Sequence, residues 1–301
     1  MFARVLFPTD FSAYANAVFA CLPDLKPAGM GQVVLLNVIR SGDVPWLEVN
    51  QEALDRVRWS VEEQLNVARM ALEGEGLRVV TRVEYGSPAA TIVRVAEEER
   101  VELIFLGAQG RTLAQEVLLG SVAYEVVRRA SVPVLLYKFE VVRELGHIEC
   151  RRICRQMFQR VLHPTDFSEC AEEAFQVVKQ LGEAGTREVV LLHVQDERIM
   201  RHRPAEQVAE FDREDVARLE AMCRTLRLFG LQARYLLRHG IPYRETLRVA
   251  EEVDPCLIVL GSLGRSAVRE ILAGSTLENV IRFCRQPALI IRWKGKERPA
   301  A

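Results

Sequence analysis

Short apolar runs alternate along this chain with longer stretches in which apolar residues recur every three or four positions. Arg4 to Phe7 reads as a strand, and Ala13 to Lys26 as a helix. Gln32 to Ile39 is almost continuously apolar, as expected of a strand covered on both faces. Leu54, Val57, Val61, Leu65, Ala68 and Leu72 then form one stripe on a long amphipathic helix, which Gly74 and Gly76 end. Leu77 to Glu84 is a third strand, and Gly86 turns the chain. Pro88 opens a helix reaching Glu99. Leu103 to Leu106 is a fourth strand, Ser121 to Ala130 a helix, and Pro133 to Tyr137 a last strand.

The same order then returns. Phe2-Ala-Arg-Val-Leu-Phe-Pro-Thr-Asp-Phe-Ser12 has its counterpart at Phe158-Gln-Arg-Val-Leu-His-Pro-Thr-Asp-Phe-Ser168. The offset is 166 − 10 = 156 at the aspartates and 261 − 107 = 154 at a pair of glycines. So near-constant an offset marks a duplication with one small indel. In the second copy Val189 to Val194 and Leu231 to Arg238 are strands. Phe211, Leu219, Met222, Cys223 and Leu226 line the long helix, Gly240 and Pro242 repeat the turn, and Ala288 to Trp293 is the last strand. Alternating strands and helices predict an α/β fold. The expectation is two tandem doubly wound domains, each a five-stranded parallel sheet between helices, over residues 1–138 and 158–294. Residues 139–157 are charged, have no match in the other copy, and read as a partly helical linker.

Composition narrows the function. The chain has 301 residues, 49% of them hydrophobic, which suffices for two cores. Its 40 basic and 41 acidic side chains leave a formal charge of −1, which argues against a nucleic-acid-binding surface. No apolar run is long enough to span a bilayer, and the N-terminus reads as a first strand rather than a signal peptide. Seven cysteines without framework spacing, Cys150 and Cys154 among them, suggest a reducing, cytoplasmic setting.

The candidate chemistry lies at strand ends. Gly107-Ala-Gln-Gly110 follows the fourth strand and leads to Gly120-Ser121, a G-x2-G-x9-G-S pattern that recurs as Gly261, Gly264, Gly274 and Ser275. Glycines let the backbone approach an anion, and a helix start offers unpaired N–H groups. Ser121 and Ser275 suit both a helix N-cap and a phosphate contact. Arg111 and Arg265 suit a phosphate or a solvated loop. Asp10 and Asp166 end the first strand of each half. Such a carboxylate suits a ribose hydroxyl or an adenine amino group, and equally a helix N-cap. If the first and fourth strands are neighbours, carboxylate and glycine loop meet at one crevice, where strand order reverses. His163 and His193 stand among apolar strand residues and read as core or rim rather than metal ligands. There is no G-x-x-x-x-G-K-[ST] sequence and no evident water-activating base, which favours binding over fast hydrolysis.

With these residues in view, the chain resembles the universal stress protein family in tandem form. The resemblance rests on Pro-Thr-Asp-Phe-Ser in each half, on Leu-Leu-Asn-Val38 and Leu-Leu-His-Val194, and on both glycine patterns. It implies ATP binding, with AMP or ADP as relatives and Mg or Mn able to accompany the nucleotide. It places Asp10 and Val38 at the adenosine, and Gly107, Gly110, Gly120 and Ser121 at ribose and phosphates, with backbone help from Val122. Asp166, Val194, Gly261, Gly264, Gly274, Ser275 and Thr276 take the same roles in the second half. It also implies pairing of the two last strands within one chain in a pseudo-twofold arrangement, a further homodimer being possible, and a role in stress response. The rival expectations are a slow metal-dependent ATPase or phosphotransfer enzyme and a protein-interaction scaffold with relic sites. Asn37 and Ala108 stand where the family commonly has histidine and a small hydroxyl residue, as His193 and Ser262 do.

Overall fold

The computed structural model describes residues 1–40, 51–109, 119–144, 147–152, 154, 156–262 and 275–292. The chain forms two compact units, Met1–Arg155 and Gln156–Ala301.

In the first unit β1 (Arg4–Pro8), α1 (Ala13–Phe19), a 3-10 helix (Leu22–Ala28) and β2 (Gln32–Ile39) come in order. They are followed by α2 (Gln51–Gly74), β3 (Arg78–Tyr85), α3 (Pro88–Glu98), β4 (Leu103–Gly107), α4 (Ser121–Arg129) and β5 (Val134–Tyr137). The strands lie in the order β5-β4-β1-β2-β3 and all pair in parallel. Leu103, Ile104, Phe105 and Leu106 of β4 are buried, as a strand covered on both faces requires. The outer strand β3 is half exposed and carries charge instead. Its Arg82 pairs with Glu84, Glu98 and Glu99, and Arg94 joins Glu84 and Glu98. Such ionic cover discourages edge-to-edge pairing.

Three expectations are corrected here. The helix read through Ala13 to Lys26 breaks after Phe19, and a 3-10 segment takes over. Pro23 sits in its first turn and Pro27 inside it, and a proline cannot donate to an α-helical ladder. The described residues of 139–157 are not helical: β6 (Phe139–Glu144) and β7 (His147–Arg152) pair antiparallel, with Phe139 opposite Arg152 and Glu144 opposite His147. The β-branched Val141, Val142 and Ile148 favour the strand, and Gly146 stands between the two arms in sequence. Cys154 is disulfide-bonded and so not the free thiol expected of a reducing setting.

In the second unit β8 (Arg160–Pro164), α5 (Glu169–Gln180), β9 (Glu188–Asp196) and α6 (Glu197–Met200) lead to α7 (Ala205–Leu228). Then follow β10 (Gln232–Gly240), α8 (Pro242–Val253), β11 (Leu257–Gly261), α9 (Ser275–Phe283) and β12 (Ala288–Ile291). The order β10-β9-β8-β11-β12 is the same parallel arrangement. With no proline in its path, α5 runs for 12 residues where α1 has 7.

Candidate functional site

In the first unit β1 lies between β4 and β2, so the chain leaves β1 in one direction and returns on its other side. A crevice opens at that reversal, beyond the carboxyl ends of the strands. The segment after β1 forms its floor, and its own hydrogen bonds hold it. The Thr9 N–H donates to Leu36 O at 2.8 Å, and Asn37 Nδ2 of β2 donates to Thr9 O at 2.8 Å. Thr9 Oγ1 accepts from the Phe11 N–H at 3.0 Å, and Asp10 Oδ1 from the Ser12 N–H at 3.1 Å. These two turns fix Phe11 in the left-handed region, at φ 57°. Ser12 is the N-cap of α1, accepting from the Ala15 N–H. Asp10 is therefore not the cap, and its carboxylate stands at the crevice.

Gly107 ends β4. A Cβ there would lie 2.7 Å from Tyr14 Cε1 and 3.1 Å from Val18 Cγ2, so α1 itself demands the glycine. Sequence reasoning assigned this residue to anion approach and missed the helix pressed against it. Beyond Gly107, the Ala108 N–H donates to Tyr137 O at 3.0 Å, and the Gly120 N–H returns to Ala108 O at 2.7 Å. Gly120 is the N-cap of α4 and supplies no side chain. The N–H groups of Ser121, Val122 and Ala123 have no intrahelical acceptor, receive no side-chain cap from Gly120, and form the positive end of the helix dipole. Gly110 and Arg111 lie outside the described residues.

These pieces enclose a cavity of about 640 Å³. Of the residues singled out in the first half, Asp10, Val38, Gly107, Gly120, Ser121 and Val122 line it. The lining also includes the apolar Ile39, Val57, Val61 and Ile92, together with Gln64 and Asn37. Sequence reasoning placed Val57 and Val61 on the packing stripe of α2. Their spacing was the available signal, but it does not distinguish core from cavity.

The second unit repeats the floor. Thr165 Oγ1 accepts from the Phe167 N–H and Asp166 Oδ1 from the Ser168 N–H, both at 3.1 Å, with Phe167 at φ 59°. Val194 lies on β9, and Gly261 ends β11 against the Cys170 backbone. Ser275 begins α9, with Thr276 half-buried behind it. Gly264, Arg265 and Gly274 lie outside the described residues. His163 is wholly buried, and its Nδ1 is 2.9 Å from Val259 O; burial pushes its pKa down to about 4. His193 meets Thr165 O through Nδ1 at 2.7 Å, and its ring lies 4.5 Å from that of Phe167.

Comparison with known proteins fits this geometry. The model of the universal stress protein family matches residues 1–138 and 157–292. A universal stress protein of Methanocaldococcus jannaschii is 34% identical over 158 residues, covering 46% of this chain and 98% of that protein. The crystal structure of a universal stress protein from Archaeoglobus fulgidus superposes with a TM-score of 0.71 at 24% identity, covering 96% of each chain. A putative universal stress protein from Pseudomonas aeruginosa gives 0.65 at 17% identity over 97% of this chain and 94% of that one. The last two likenesses show the fold. With both halves matched by the family model and both built as the same parallel sheet, this chain belongs to the universal stress protein family.

Proposed function

We propose that this protein binds an adenine nucleotide in the crevice between the ends of β1 and β4 and serves as a nucleotide-responsive stress module. The observation that carries the reading is a cavity whose lining combines apolar side chains with the start of a helix. The apolar Ile39, Val57, Val61 and Ile92 suit the faces of a purine, while the uncapped N–H groups at the start of α4 suit phosphate oxygens. Asp10 lines the same cavity, where its carboxylate suits ribose hydroxyls. Its volume falls within the range of small-molecule sites.

Asp10 is the one carboxylate among the described residues lining the cavity, and no histidine lines it there. One of its oxygens already accepts from Ser12. That arrangement supports holding a nucleotide more than activating water against it.

The test is linkage. ATP at a hundredfold excess over its Kd is expected to stabilise the folded chain by about 2.7 kcal/mol, read as a rise in melting temperature. Val61→Phe fills the apolar part of the cavity and removes the rise. An unchanged melting temperature in saturating ATP overturns the reading.

A further inference from the structure

Helix α2 has an inner and an outer face. Leu65 and Leu72 are buried on the inner one. At about 100° per residue, Arg56, Trp59, Glu63, Asn66, Met70 and Glu73 gather on the opposite side. Their steps of three, four, three, four and three residues are the spacing of a seam along which two helices pair. Trp59 is 66% exposed and Met70 62%. Exposure alone names no partner, but the charges around these two side chains do.

Antiparallel pairing with the same helix of a second copy sets opposite each other the positions with equal sums, and 56 + 73, 59 + 70 and 63 + 66 are all 129. Arg56 then faces Glu73 of the other copy, Trp59 faces Met70, and Glu63 faces Asn66, each pair occurring twice. These are an ion pair, a sulfur–aromatic contact and a hydrogen bond, with no like charges opposed. Within the helix, Arg56 meets Glu52 and Arg69 meets Glu73 only at 3.4 Å and in solvent, so both charges are free to share a second partner.

The matching helix of the second unit gives the contrast. The helices α2 and α7 have equal length and register, since 205 − 51 = 154 and 228 − 74 = 154. Buried Leu65 and Leu72 thus correspond to buried Leu219 and Leu226. The seam positions of α7 are Glu210, Arg213, Ala217, Glu220, Arg224 and Arg227. Pairing α7 with its own copy opposes Arg213 to Arg224 twice. Pairing it with α2 opposes Arg56 to Arg227, Glu63 to Glu220 and Glu73 to Glu210. Like charges in register work against association, so the pattern selects α2 for α2.

We infer that the outer face of α2 is an interface for a second copy of this chain, joined antiparallel about a two-fold axis. An isologous contact closes on itself, so the assembly ends at two chains. The inference is independent of the nucleotide reading, because the cavity-lining Val57 and Val61 belong to the inner face.

Sedimentation velocity of the full chain, from about 1 µM to about 1 mM, tests it. A monomer–dimer equilibrium that weakens with added salt, and no larger species, is the expected result. Arg56→Glu and Glu73→Arg are each expected to weaken the dimer about 10-fold, and the two together to restore it. Trp59→Ala should weaken it by at least about 10-fold. These side chains are exposed, so the fold should survive each change. Arg224→Glu, on the matching face of α7, should leave the dimer unchanged. A chain that stays monomeric throughout, a dimer indifferent to Arg56→Glu and Trp59→Ala, a double exchange that fails to restore association, or a dimer lost on Arg224→Glu would each overturn the inference.

Discussion

Gly107→Ala is expected to lower the stability of the first unit by about 1–3 kcal/mol, and Gly107→Val by more. The new Cβ would lie 2.7 Å from Tyr14 Cε1 and 2.9 Å from its Cδ1. Tyr14 has little room to yield. It is 2% exposed, its hydroxyl donates to Tyr137 O at 3.2 Å, and its ring meets Phe139 edge-on at 5.6 Å. Gly261→Ala is the matching case, where a Cβ would meet Cys170 Sγ at 2.9 Å and its carbonyl oxygen at 3.0 Å. Backbone gives way less readily than a side chain, so this variant should suffer at least as much. Urea denaturation of the full chain provides the measurement. An unchanged midpoint for Gly107→Ala would mean that α1 shifts without cost. A loss of nucleotide binding in either variant would therefore report displaced helices rather than lost phosphate contacts.

The second large effect is one of pH. His163 stands where the first unit has Phe7, since 163 − 7 = 156, and shares that residue's burial. Its ring stacks on Phe175 at 6.2 Å, and its Nε2 has no partner among the described residues. Burial lowers its folded-state pKa from 6.5 to about 4. Between these values the unfolded chain takes up a proton that the folded chain refuses. Stability from this group is complete above the unfolded pKa and falls as the pH drops towards the folded one. The full loss is on the order of 3 kcal/mol. His163→Phe, the first unit's own solution, should flatten that part of the stability–pH profile. Denaturation midpoints collected across this window are the check: a variant declining as steeply as the parent would show that other groups govern acid sensitivity.

Much of the fold could be read from residue spacing. The apolar runs of β2 and β4, the stripe of α2 and the duplication each have a period or an offset that a sequence carries on its face. At the floor of the crevice only the carboxylate at the strand end was legible; the turns at Thr9 and Asp10 and the N-cap role of Ser12 were not. Two local errors have local causes. Pro23 and Pro27 stop α1 early, and the apolar positions of Phe139 to Arg152 follow the period of a strand.

The misreadings at the site have another origin. The role of Gly107 depends on Tyr14, far away in sequence, and no spacing announces that contact. The difference between the two units here emerges only when β2 is set beside α2 and β9 beside α7. Ile39 and Val61 line one cavity in the first unit, whereas Gln195 and Asp215, at the matching positions of the second, hydrogen-bond to each other, and each change looks innocuous alone. Repeats make a family legible because they agree, and they reveal specialisation where they disagree.

The side chains of Thr9 and Ser12, like those of Thr165 and Ser168, spend their acceptors on their own backbone. Phe11 and Phe167 are locked in their left-handed conformation by the same bonds. A bound molecule thus meets a surface that is already ordered and is charged little entropy for fixing it. Changes made around this rigid floor should leave the arrival rate of a ligand nearly constant and alter how long it stays. On the nucleotide reading, residence time more than encounter is the quantity that changes around such a floor would set.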